Sequence, residues 1–242
     1  MRATSIALKI ALIAMCAALY AVLGYATYLG LFTPIIGVVR FWPPVFVPAV
    51  FSVAFGPMIG GLGAAIGIFI SDMLIHGNAL LSLIAGVPAN FLCFFISGLK
   101  VKRKIVHSIV PFLGTNLVVV SLCIIGSSLN TVPWSLSMIY IGATIFSLAI
   151  ALASLIKVRK WAWFYGMASL GLLIGASWIG ITVWLFSQFF VLPTGEQYLP
   201  FIVSLAWMLW VYCTEIPFLL LIAPPIAEAL ERAGLSFAKE ES

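Results

Sequence analysis

Two carboxylates, Asp72 and Glu215, lie inside long apolar runs of this 242-residue chain, while its other acids fall outside them. An ionised side chain at mid-bilayer costs about 2.5–3.5 kcal/mol on insertion scales, so an acid there faces a partner or a cavity. Asp72 closes the third apolar run and Arg40 opens the second, at matching depth, so an ion pair between them is allowed. Two readings of that pair stand: a static clasp that ties a loop over the rest of the chain, or a gate that opens to receive charges from a ligand. His76 lies at the same edge and also reads as a solvated side chain. Glu215 is deeper, about fifteen residues into the last run, with Met208 and Tyr212 on its flank. It is either neutral and hydrogen-bonded or the carrier of a coupling proton. Asn90 and Asn116 fall near mid-span, where amides join helices through hydrogen bonds of roughly 0.6–2 kcal/mol. They read as helix glue or as ligand contacts. Trp42, Trp134, Tyr212 and the loop residue Asn130 complete the candidate binding set, because aromatic faces stack well on a flat heterocycle.

Other chemistry finds little support. Cys16, Cys93, Cys123 and Cys213 are isolated, without the clustering a metal site needs, and they read as small buried hydrophobes. Asp72 and Glu215 differ in depth, so they do not form the acid–base pair of an intramembrane enzyme. No catalytic residue, metal or cofactor is assigned to the chain.

The elements that must hold these residues follow from composition. The chain is 64% hydrophobic and only 8% charged, against roughly 25% charged for a soluble domain. An all-α, polytopic transmembrane bundle is expected, as a single domain over 1–242, with six to eight spans and eight favoured. The segments are 6–29, 41–55, 58–76, 79–99, 105–126, 135–156, 162–191 and 200–225, each near the length a helix needs to cross. The first run is long enough to span, so no cleavable signal peptide is expected. Short loops rich in Lys and Arg stay cytoplasmic. Arg2, Lys9, Lys100, Lys102, Arg103, Lys104, Lys157, Arg159, Lys160, Arg232 and Lys239 all fall on one side of this threading, and Arg40 alone falls on the other. Both termini are therefore expected in the cytoplasm, in a cell membrane, and the net charge of +5 is read as loop charge rather than as nucleic-acid binding.

Pro43, Pro44 and Pro48 interrupt the short second segment, so 30–48 reads as an outer loop folded back over the bundle. Gly171, Gly175 and Gly180 mark expected bends in the long seventh segment. Trp42 and Trp134, like Trp161 and Trp163, fall at segment ends and also read as interfacial anchors. Trp178, Trp184, Trp207 and Trp210 fall within or toward spans, where a flat heterocycle could stack on them or they could simply pack. No internal repeat is evident, which weakens the case for an inverted-repeat transporter.

Small residues define two helix faces. Ala7, Ala11, Ala14, Ala18 and Ala21 recur at offsets of four and three along the first helix. They read either as internal packing or as a surface for another membrane subunit. Gly56, Gly60, Gly63 and Gly67, with Ser71, read as a tight packing face on the third helix, and Gly61 and Ala65 leave room in front of Asp72.

The alanine face, Val39-Arg40-Phe41-Trp42-Pro43-Pro44, and Phe55-Gly56-Pro57-Met58-Ile59-Gly60-Gly61 running on to Ser71-Asp72 together resemble the substrate-binding S component of energy-coupling factor (ECF) vitamin transporters. The likeness covers roughly residues 6–100, with support from the ending Pro217 to Pro225. It implies that Ala14 and Ala18, extended by Ala7, Ala11 and Ala21, dock on a transmembrane coupling subunit, and that 30–42 gates an outward pocket. It implies further that two partner ATPase subunits use the ATP, consistent with the lack of a Gly-x-x-x-x-Gly-Lys-Ser/Thr loop here. Family members usually have six spans, so the surplus is expected within 127–192, around a core of 6–100 closed by 200–227. The expected function is capture of a vitamin-like small molecule, with a proton-coupled secondary transporter as the alternative. An intramembrane enzyme and a non-transporting scaffold are remoter readings.

Overall fold

A computed structural model describes residues 5–31, 35–36, 39–100, 105–130, 132–157 and 159–236. Arg2, Lys102, Arg103, Lys104 and Lys239 lie outside the described residues. Apart from one small β-hairpin, the described chain is helical. It runs α1 (Ile6–Ala26), a π-helical turn (Thr27–Leu31), β1 (Ile35–Ile36), β2 (Val39–Arg40), a 3-10 turn (Pro43–Val45), α2 (Phe46–Phe55) and α3 (Pro57–Ile75). There follow α4 (Ala79–Leu81), a second π-helical turn (Ser82–Gly86), α5 (Val87–Ser97), α6 (Ile105–Ser128), α7 (Trp134–Lys157), α8 (Ala162–Phe189) and α9 (Ile202–Arg232). With 79–97 taken as one helix, seven helices are long and apolar enough to cross a membrane. Large apolar side chains such as Ile10, Leu74, Leu117, Ile139 and Phe189 point outward. A surface of that kind is excluded from water by lipid, and the chain is a multi-pass membrane protein.

The second segment differs from the others. It is a 3-10 turn followed by a ten-residue helix, about 21 Å end to end. It nevertheless returns the chain across the bundle, because α1 and α3 run parallel. Gly63 abuts Cys16, Gly67 abuts Ala17 and Tyr20, and the Ser71 hydroxyl donates to the Ala21 carbonyl. Parallel neighbours in sequence order need a return stroke, and α2 supplies it.

Glycine fits these helices together. A Cβ on Gly60 would stand 2.6 Å from the Pro48 carbonyl oxygen, and one on Gly67 would stand 2.8 Å from that of Ala17. Backbones approach closely only where the side chain is absent, which is how helices associate without a hydrophobic drive. Gly56 departs from the expected packing role. Nothing lies within 4 Å of its position, and its φ of +116° makes it the hinge between α2 and α3, a conformation closed to most side chains. The α8 glycines lie within one continuous helix and are sites of close contact. Cβ atoms on Gly171 and Gly180 would meet the carbonyl oxygens of Cys93 and Ser204 at 2.4 and 2.3 Å.

The last helix extends beyond the expected 200–225, passing through Pro217, Pro224 and Pro225 to Arg232. Beyond the prolines its final turns are held by ions: Lys160 pairs with Glu228 and with Glu231, and Arg232 with Glu228. On α1, Ala7, Ala11, Ala14 and Ala18 are exposed, but Ala21 is buried against α3. Ala21 therefore leaves the expected docking stripe, because the turn from 18 to 21 rotates it onto the α3 side.

Candidate functional site

A cavity of about 100 Å³ opens near the β-hairpin and runs down between α1, α3, α5, α8 and α9. Its mouth is built on the end of α3. Asp72 is 5% exposed and receives a hydrogen bond from Arg40 Nη2 at 2.5 Å on Oδ1 and from the Ser82 hydroxyl at 2.7 Å on Oδ2. His76 Nε2 stands 3.4 Å from Oδ1. Its Nδ1 accepts the Asn78 backbone N–H, so Nε2 carries the ring proton and faces the carboxylate.

Local backbone geometry makes this cluster. The π-helical turn Ser82–Gly86 points Ser82 at Asp72 and brings the Gly86 backbone so near that a Cβ there would lie 2.8 Å from Asp72 Oδ2. A π turn frees carbonyls from the regular ladder. Here the Asn90 amide donates to the Gly86 carbonyl and the Trp178 indole N–H to that of Ile84. Asn90 accepts in turn from the Tyr20 hydroxyl at 2.7 Å, which ties α1 to α5 beside the cavity.

The strap from Val39 to Val45 covers the mouth. Trp42 is 5% exposed and lies on Gly24, where a Cβ would overlap its ring. Its ring meets Tyr20 edge-on at 5.9 Å and carries the Arg40 guanidinium 5.2 Å from its centroid. Phe41 meets Phe218 of α9 edge-on at 5.5 Å. The strap is thus pinned to α1, α3 and α9 at once.

Deeper down, Phe94 packs edge-on against Tyr20, and Gly175, Ala176 and Ile179 of α8 form one wall. Glu215 reaches the cavity from α9 and is 8% exposed. Among the described residues, no hydrogen bond or ion pair engages its carboxyl group. Tyr20 and Cys93 are within electrostatic reach of it.

Six of the expected binding residues, Arg40, Trp42, Asp72, His76, Asn90 and Glu215, therefore converge on one cavity. Four do not. Asn116 is spent on the Phe112 carbonyl of its own helix and on the Tyr212 hydroxyl, 3.4 Å away, so both side chains knit α6 to α9. Asn130 is exposed in a left-handed turn with φ of 54°, and Trp134 is half-exposed at the start of α7. The α6–α7 pair packs outside the cavity, which removes them from it. Tyr20, Ser82, Gly86 and Phe94 belong to the site without standing out in the sequence, and Cys93, expected only as a buried hydrophobe, lines it as well. For Tyr20 a signal existed, since it lies on the α1 face opposite the alanines. Of the tryptophans expected within or toward spans, Trp178, Trp184, Trp207 and Trp210, none lines the cavity, and Trp178 is exposed. α8, expected among surplus spans, supplies a full wall.

Set beside family models, curated proteins and solved structures, the chain matches none of them.

Proposed function

We propose that this chain is the membrane-embedded, solute-binding subunit of an ECF-type importer, taking a vitamin-like small molecule from outside for ATP-driven uptake by partner subunits. One observation carries the reading: a cavity within the bundle, covered by a pinned strap, holds charged and aromatic side chains from five helices and the strap. Ligand sites are concave, mainly apolar and furnished with a few convergent polar groups. Burying Arg40, Asp72 and Glu215 around an apolar space serves no packing purpose, because close-packed apolar side chains do that at lower cost.

Orientation belongs to the same proposal. Lys9, Lys100, Lys160 and Arg232 share the bundle end where α3 begins, while Arg40 is at the other end. By the positive-inside tendency the first end faces the cytoplasm, with the amino terminus, and the cavity opens outward. Exposed Ala7, Ala11, Ala14 and Ala18 leave a shallow strip on α1, suited to close approach by a helix of a transmembrane coupling subunit with its two ATPases.

Native mass spectrometry of the detergent-purified chain tests the binding role. A small molecule should co-purify and be lost in Arg40→Ala, while that variant keeps its helical circular dichroism. A wild-type protein that arrives empty and retains no solute from cell extract would end the proposal. Ala14→Trp tests the partner, and should abolish co-purification with ATPase subunits without releasing the ligand. The unengaged Glu215 favours a second reading, a proton-coupled secondary transporter. Uptake by the chain alone in proteoliposomes, under a pH gradient and without ATP, would establish that reading against the first.

A further inference from the structure

Charge is distributed unevenly along the cavity. At the mouth, Arg40 and Asp72 neutralise one another. The His76 ring accepts the Asn78 N–H through Nδ1 and turns Nε2 toward Asp72, not toward Glu215. Glu215 is then the only acidic group lining the cavity, among the described residues, that lacks an opposite charge. It is more than nine-tenths buried, lines the cavity and meets no donor among the described residues. A buried carboxylate without a donor forfeits hydration and gains nothing in exchange. A cation on the ligand would supply what the protein withholds.

Two further observations narrow the class. An engineered apolar cavity of about 150 Å³ accommodates benzene. The volume here is about 100 Å³, so it suits a body of about one ring, with any longer substituent emerging at the mouth. Tyr20, Trp42 and Phe94 flank that space, with Tyr20 edge-on to both of the others. Aromatic walls favour cations over anions, because the ring face is the negative end of its quadrupole.

We propose that the cavity takes a single-ring monocation, with its protonated nitrogen on Glu215 and its ring among Tyr20, Trp42 and Phe94; this rests on the solute-binding reading above. An anion would meet a carboxyl group with no positive charge beside it, and a neutral ring would leave that carboxyl group without a partner.

Three isosteric probes test this on the detergent-purified full chain near neutral pH: benzylamine as its ammonium ion, benzyl alcohol, and benzoate. Binding is read from tryptophan fluorescence and thermal shift. Benzylamine should bind roughly ten- to a hundredfold more tightly than benzyl alcohol, the range expected for one charge-assisted hydrogen bond, with benzoate weakest. Glu215→Gln should remove the advantage of the amine. The wild-type ranking is itself decisive, so the test survives a variant that fails to fold. Equal or tighter binding of benzyl alcohol or benzoate overturns the cation and leaves a solute site in place. Saturation by none of the three overturns the inference whatever co-purifies. If the protein is also empty by native mass spectrometry, the solute-binding reading falls with it.

Discussion

The mouth and the floor of the cavity each hold one buried acid, and the two are treated in opposite ways. Asp72 at the mouth accepts from Arg40 and Ser82, with His76 beside it, and its neighbour Gly86 lacks the side chain that would displace it. Glu215 at the floor has the same burial and no such company among the described residues. A carboxylate surrounded by donors is part of the architecture, since removing it strands the donors. One left without donors among the described residues is the group that the proposed cation would engage. Burial alone separates neither from the other; the inventory of partners does.

Asp72→Asn should produce the largest effect. Breaking a buried ion pair from one side costs about 3–5 kcal/mol, because the remaining charge keeps its desolvation. Thermal unfolding in detergent should show a large drop for this variant. Arg40→Ala should cost less, since Asp72 keeps Ser82 and His76 while the lost guanidinium was nearer solvent. Equal losses would mean that the mouth is not organised around Asp72.

The next effect contrasts the cavity side of the bundle with its α6–α7 edge. Gly171→Ala drives a Cβ to within 2.4 Å of the Cys93 carbonyl oxygen. Backbone cannot rotate away as a side chain can, so a loss of about 1–3 kcal/mol is expected. At Gly114 of α6 nothing lies within 4 Å, and Gly114→Ala should stabilise by about 0.5–1 kcal/mol through helix propensity. Unfolding curves of the two variants should move in opposite directions. Smaller still, Ser82→Ala removes one donor of several from Asp72 and should cost about 1 kcal/mol.

Much of this arrangement was legible in the chain as written. Apolar run lengths gave the helices, and opposite charges at matching depth gave the Arg40–Asp72 pair. What depth cannot convey is direction around the bundle. Asn90 and Asn116 look alike in sequence, two amides near mid-span, yet one faces the cavity and the other is knotted to Phe112 and Tyr212. The π turn at Ser82–Gly86 was hidden for a related reason. A single added residue per turn leaves no mark on composition, yet it sets which side chains reach Asp72. Ala21 was lost to the stripe because a three-residue step turns a helix less than a full circle, and a stripe can drift onto a packed face. Span count alone groups α8 with the surplus beyond six, whereas Gly171 and Gly175 let it press directly on α5 and make it a wall of the cavity.

Glu215→Gln should have the smallest effect on stability, and it sharpens the comparison most. The amide is nearly isosteric with the carboxyl group, and no bonded partner among the described residues loses a contact. The change strands no charge and no donor among the described residues, the case in which substitution is harmless or stabilising. The unfolding midpoint of ligand-free Glu215→Gln should therefore match or exceed that of the wild type, while Asp72→Asn falls well below it. Ligand-free protein is required, because a bound solute stabilises only the form that holds it. If Glu215→Gln fell as far as Asp72→Asn, the floor acid would have a structural partner after all, and the distinction between mouth and floor would disappear.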